Sequence, residues 1–138
     1  MKTLKTVTLA AAGLSLVGAG SAYAQAGQAP PLVQRSYFPE FTTGEAIYKG
    51  VCQGCHMPDA KGAQGAGAYP ALASNPKLGA AAYPVMVVVR GQKAMPDFGP
   101  MLTDAQVADV VNYVRSNFGN KFTEKVGPEA AAAMRPAK

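Results

Sequence analysis

Cys52, Cys55 and His56 carry the densest chemistry in this sequence, within Val51-Cys52-Gln53-Gly54-Cys55-His56. They include both cysteines and the single histidine of the 138-residue chain. Cys-x-x-Cys-His is the spacing of covalent haem attachment. Two thiols on one short segment can reach the two vinyl-derived carbons on one porphyrin edge, and the next residue sets an imidazole beneath the iron. The thioether bonds make attachment irreversible, so the motif predicts one haem c, with Cys52 and Cys55 binding the cofactor and His56 ligating its iron.

Two other chemistries use the same residue types. An exported Cys-x-x-Cys can form a disulfide or a thioredoxin-like redox pair, but that motif expects a βαβ setting, which this Ala-, Gly- and Pro-rich sequence lacks. A zinc site needs a fourth ligand beyond two Cys and one His, and the sequence holds no other Cys or His. The single histidine also excludes bis-histidine ligation within one chain.

A second axial ligand must then come from another residue type, and methionine opposite histidine is the arrangement that raises a haem's reduction potential. Met1 leaves with the leader, Met57 is tied to the proximal side by its neighbour His56, and Met134 lies in an Ala-rich tail. Met86 sits in Val85-Met86-Val87-Val88-Val89, where a flexible thioether fills core space. Met95 lies in Gly91-Gln92-Lys93-Ala94-Met95-Pro96-Asp97-Phe98-Gly99-Pro100, whose glycines and prolines can hold a fixed non-helical path over a haem face. Met101, at the end of the same loop, is the rival, and Met95 is the better placed.

These residues need elements to hold them. Thr42-Thr43-Gly44-Glu45 predicts a capping box with Thr42 as N-cap, opening a helix through Ile47 and Tyr48 into the motif. Gly62, Gly65, Gly67 and Pro70 mark a loop, and Asn75-Pro76 predicts the start of a short helix. For Ala80 to Arg90, four valines favour a strand, whereas Ala80-Ala81-Ala82, the early Pro84 and the closing Gly91 favour a helix. Thr103-Asp104-Ala105-Gln106 is a second capping box, followed by Val107, Val110, Val111, Val114 and Phe118 at helical spacing, with Gly119 as the stop. This stripe is expected to pack against the first helix near Tyr48 and Tyr113.

The chain's start reads as an export signal: basic Lys2 and Lys5, an apolar stretch from Val7 to Ala19, and Ala22-Tyr23-Ala24 as cleavage site. Gly13, Ser15, Gly18 and Gly20 interrupt the stretch, which falls short of the ~20 apolar residues of a spanning helix. The division expected is a signal peptide over 1–24, an extension over 25–41, the main domain over 42–120 and a flexible tail over 121–138. Losing Lys2 and Lys5 takes the formal charge from +5 to +3, with no basic run, too mild a balance for nucleic acid. A periplasmic location without a stable membrane span follows.

Beyond Cys-x-x-Cys-His, the segments Tyr69-Pro70-Ala71-Leu72, Ala94-Met95-Pro96-Asp97-Phe98 and Val111-Asn112-Tyr113-Val114-Arg115 resemble class I c-type cytochromes. The nearest flavour is the cytochrome subunits and domains that accompany bacterial alcohol and aldehyde dehydrogenases, and the likeness covers Thr42 to Asn120. It implies an all-α cytochrome c fold of three to five helices around one haem, and tips Ala80 to Arg90 towards helix. It implies Met95 as axial ligand and Pro70 as the residue whose carbonyl accepts the proximal histidine's Nδ1–H, a bond that fixes the imidazole. The family's usual glycine before that proline is Tyr69 here, which places Tyr69 beside the cofactor.

The implied function is single-electron carriage, from a periplasmic dehydrogenase towards the respiratory chain through a terminal oxidase or another cytochrome. Val51, Met57, Pro58 and Phe98 would dock the partner, with Lys61 and Lys93 steering acidic surfaces. The alternative, a haem with an open distal position for catalysis or gas binding, usually needs a polar distal group and finds no second histidine.

Overall fold

A computed structural model describes residue 32 and residues 35–65 and 67–137. The expected signal peptide (1–24) and residues 25–31 of the expected extension lie outside the described residues. Helix formation begins at Thr43 rather than the expected Thr42: the Thr43 hydroxyl accepts the Ala46 amide at 3.1 Å. A single helical run follows, made of α1 (Gly44–Ile47), a π-helical turn (Tyr48–Cys52) and α2 (Gln53–His56). The π turn, a rare widening that recurs at functional positions, ends on the motif's first cysteine, Cys52.

The run stops because Met57 takes φ 67°, a left-handed value that no helix continues. The chain then folds back through β1 (Ala63–Gln64) and β2 (Ala68–Tyr69), antiparallel, with Ala63 opposite Tyr69. This small sheet corrects the all-α expectation; the architecture is mostly helical. Gly62, at φ 68°, is required there, since a Cβ would lie 2.1 Å from the Tyr69 carbonyl oxygen. Fully buried Ala60 closes the loop, its carbonyl accepting the amides of Leu72 and Ala73 at 2.8 and 2.9 Å.

Asn75 caps a short 3₁₀ helix (Pro76–Gly79) through the Lys77 amide, as Asn-Pro led us to expect. Helix α3 (Ala82–Arg90) decides the ambiguous valine-rich segment. Val85 and Val89, four residues apart, enter the core, and Gly91 at φ 69° ends the helix. Strand propensity lost because burial here follows a helical repeat, not a two-residue one.

Helix α4 (Asp104–Ser116) opens with the expected capping box, both of its hydrogen bonds formed between Thr103 and Gln106. Val107, Val110, Val111 and Val114 are buried. It crosses α1 where Gly44 meets the Asp109 backbone: a Cβ on Gly44 would stand 2.1 Å from the Asp109 oxygen and 2.8 Å from the Tyr113 Cβ. Tyr48, Tyr113 and Phe118 lock the crossing as a three-ring cluster, with centroids 4.8–5.8 Å apart.

The tail expected to be flexible instead contains α5 (Pro128–Met134), which packs on α3 and α4 and buries Ala131 and Ala132. Its Arg135 donates to Asp104 Oδ1 at 2.8 Å, to the Leu102 carbonyl at 2.9 Å and to the Gly99 carbonyl. An alanine run shows no amphipathic period, and a pairing between residues so distant in sequence leaves no local trace. Part of the expected N-terminal extension is also docked: the Gln106 amide nitrogen donates to the carbonyls of Phe38 and Phe41 at 2.8 and 3.0 Å. Among the described residues, no helix is long and apolar enough to cross a membrane.

Gly44→Ala should lower the unfolding free energy by about 1–3 kcal/mol through overpacking at the α1/α4 crossing, measured by urea unfolding. An unchanged midpoint would mean that the two helices do not meet there. Arg135→Met should cost about 2–4 kcal/mol by stripping a buried carboxylate and two carbonyls of a donor, and deletion of 128–138 should cost at least as much.

Candidate cofactor site

A cavity of about 820 Å³ lies between the motif helix, the 62–72 loop, α3, the 91–98 loop and α4. Cys52, Cys55 and His56 line it on the motif side, Tyr69, Pro70 and Leu72 from the loop, and Met95, Pro96 and Phe98 from the segment after α3. Its volume lies in the range of sites that enclose a large organic ligand, roughly 300–1,000 Å³.

Local folding prepares each group. Helical geometry puts Cys52 and Cys55, three residues apart, on one face of the motif helix. His56 ends that helix, is 7% exposed, and its Nδ1 lies 3.0 Å from the Pro70 carbonyl oxygen. A carbonyl can only accept, so Nδ1 donates; in the neutral ring Nε2 then keeps its lone pair, the tautomer a metal needs. The Pro70 carbonyl is itself held: Gly62 donates to the His56 carbonyl at 3.1 Å and packs against the Tyr69 and Pro70 backbone. Tyr48 adds a tether, its hydroxyl donating to the Met57 carbonyl at 2.7 Å.

The opposite wall is a pinned loop. The Gly91 amide donates to Val87, Phe98 to Val88 and Gly99 to Val89, so the segment stays joined to the end of α3. Gln92 and Met95 exchange two backbone hydrogen bonds of 3.0 Å, closing a tight turn that presents Met95. Of the described methionines, Met95 alone is among the cavity-lining residues; Met57, Met86, Met101 and Met134 are not. Met101 instead faces the N-terminal segment, its carbonyl accepting the Tyr37 amide at 2.9 Å.

Electrostatics argue against the rival uses of the motif. Burial, followed by the charge of Cys55, pushes the Cys52 thiol up to about 12, opposite to the lowered value of a dithiol redox catalyst. Among the described residues, no three His, Cys, Asp or Glu side chains assemble into a metal-holding group. Two thiols, an imidazole with a free Nε2, and a thioether around an apolar cavity form instead the donor set of a haem c pocket, and the residues fit the group.

Sequence reasoning thus brought Cys52, Cys55, His56, Tyr69, Pro70 and Met95 to one cavity. It missed that α4 contributes wall as well as core, through Val110, Val111 and Val114, and it missed Tyr83 and Gln92. The valine stripe was legible, but its second face was not; nothing in the sequence singles out Tyr83 or Gln92. Of the four residues expected in a docking patch, Val51 and Phe98 line the cavity and Met57 and Pro58 do not. Lys61 and Lys93 line it along with Lys77, and no Asp or Glu does. Lys61 is shared with Asp59 at 3.3 Å, an exposed pair of little energetic weight.

Residues 39–114 match the family described as cytochrome C oxidase, cbb3-type, subunit III. The fructose dehydrogenase cytochrome subunit of Gluconobacter japonicus is 37% identical over 94 residues, covering 57% of this chain and 19% of that protein. The gluconate 2-dehydrogenase cytochrome c subunit of Pantoea cypripedii is 32% identical over 109 residues, covering 67% of this chain and 24% of that protein. The chain therefore spans about a fifth to a quarter of the length of these relatives. With the family match extending over more than half of the chain and the Cys-x-x-Cys-His helix opening into the cavity, the chain belongs to that family: it is a c-type cytochrome, an electron-transfer protein with covalently bound haem c.

Proposed function

We propose that this chain is a periplasmic single-electron carrier whose haem iron is held between His56 and Met95, taking electrons from a dehydrogenase and delivering them to the respiratory chain. One observation carries the reading: His56 and Met95 come from separate elements and line the same cavity, with the imidazole's Nδ1 committed to Pro70. Haem supplies a metal centre that changes by one electron. Its surroundings would keep that change free of rearrangement: Pro70 holds the imidazole, the turn at Met95 presents the thioether, and the mostly apolar walls limit contact with water. With His56 and Met95 to hold it, the iron would gain or lose no small-molecule ligand between its oxidation states, which would suit outer-sphere transfer and not catalysis at the metal.

The dehydrogenase partner is supported by the two relatives, whose names place them as cytochrome subunits of fructose and gluconate dehydrogenases. Export is supported by the Lys2/Lys5 start and the Ala22-Tyr23-Ala24 site. The delivery step, to a terminal oxidase or another cytochrome, is supported by lysines without acidic residues at the cavity, a surface that favours an acidic acceptor. A haem with an open distal position, serving catalysis or gas binding, is the alternative.

Absorption spectra of the purified holoprotein, with and without carbon monoxide, separate the two. The wild type should be low-spin and indifferent to carbon monoxide, whereas Met95→Ala should bind it and show a lower reduction potential. Carbon monoxide binding by the wild type would point to the open-site alternative, and a Met95→Ala protein that keeps methionine ligation would move the role to Met101. Cys55→Ala should weaken haem retention, read as loss of pigment on denaturing gels, while His56→Ala should abolish normal haem maturation.

A further inference from the structure

The turn that presents Met95 is held in an unfavourable shape. Within Gln92-Lys93-Ala94-Met95, Lys93 takes φ 55°, a left-handed value that side chains other than glycine, Asn and Asp rarely adopt. Gly91 before it also has positive φ, and a Cβ there would lie 2.7 Å from the Met95 carbonyl oxygen. Such a turn persists only where its surroundings over-determine it. The backbone bonds of Phe98 and Gly99 to α3 fix the chain after Met95, and that of Gly91 fixes it before the turn. One side-chain bond reaches the turn itself: the Tyr83 hydroxyl, from the first turn of α3, lies 3.1 Å from Gln92 Oε1. Tyr83, Gln92 and Met95 all line the cavity.

We propose that Tyr83 is a positioning residue for Met95, acting through Gln92. This deepens, and rests on, the reading of Met95 as axial ligand. The amide oxygen of Gln92 accepts the phenolic hydrogen, while the backbone of the same residue exchanges both hydrogen bonds with Met95. A shift of the Gln92 side chain therefore moves the frame from which the thioether projects. The ring of Tyr83 contributes wall, and its oxygen contributes the tether, so the two roles separate in Tyr83→Phe. The bond lies at the cavity's solvent edge and joins neutral partners, so its loss should alter ligand release by roughly two- to tenfold, not abolish ligation.

The test uses the holoprotein in four forms: wild type, Tyr83→Phe, Gln92→Ala and the double variant. Two quantities are read, the rate at which carbon monoxide replaces the distal ligand in the reduced protein under forcing concentration, and the thermal midpoint. Each single variant should speed replacement by about two- to tenfold, and the double variant should be no faster than the faster single one, because both remove one bond. Gln92→Glu, which keeps an acceptor oxygen, should stay near the wild-type rate. An unchanged rate in Tyr83→Phe, multiplicative effects in the double variant, or a lowered midpoint with unchanged replacement would each overturn the proposal. Met95→Ala distinguishes the two levels. A wild type as open as Met95→Ala removes Met95 as ligand and the positioning role with it, whereas a closed wild type with an unaltered Tyr83→Phe removes the positioning role alone.

Discussion

The close approach of α4 to the motif helix at Gly44 is the constraint on which the rest of the structure depends. With hydrogen in place of a side chain at Gly44, the Asp109 carbonyl can sit where a Cβ would be, and the two helices meet backbone to backbone. That separation brings Tyr48, Tyr113 and Phe118 into ring contact and sets Val110, Val111 and Val114 at the distance of a cavity wall from Cys52 and His56. A wider crossing would leave the motif attached to its helix but without an opposite face, and a cofactor held by thioethers alone would remain wet. Dry surroundings matter because the apolar shell governs the potential of a buried redox centre.

Around that crossing, the loops are held by polar side chains that take the place of sheet partners. Asn112 forms a reciprocal pair with the Val126 backbone at 2.8 and 2.9 Å, and Asn120 donates to the Leu72 and Val114 carbonyls while accepting the Asn75 amide. Arg115, 1% exposed, donates to the carbonyls of Leu78, Gly79 and Glu124. These bonds satisfy backbone groups that a small helical domain with long connections would otherwise bury unpaired. They also fix the 3₁₀ helix and loop from which Leu78 and Leu72 reach the cavity.

The left-handed residues gather in the same loops. Met57, Ala60, Ser74, Lys93 and Phe118 all have positive φ without being glycine. Met57 and Ala60 redirect the chain directly after the motif, Lys93 shapes the turn at Met95, and Ser74 and Phe118 meet through a backbone hydrogen bond of 3.0 Å. Such conformations persist where neighbouring contacts hold them, and here they let short loops carry Pro70 and Met95 to the cavity on cramped paths.

What the sequence determined by itself was the chemistry that is local to it. Cys52, Cys55 and His56 are contiguous, so covalent spacing alone named the cofactor; Thr103 and Gln106 are three apart, so a capping box could be read directly. The valines of α4 declared a helix because burial repeats every three to four residues. Tertiary structure decided what depended on residues far apart in the chain. It turned the valine run of α3 into helix by burying Val85 and Val89 in the core. It made the tail a helix through Arg135 and Asp104, and it brought Tyr83 to Gln92 across the end of α3. Local pattern records only the energy that near neighbours share; partners distant in sequence, and the space that a glycine leaves for another backbone, exist only once the chain has folded.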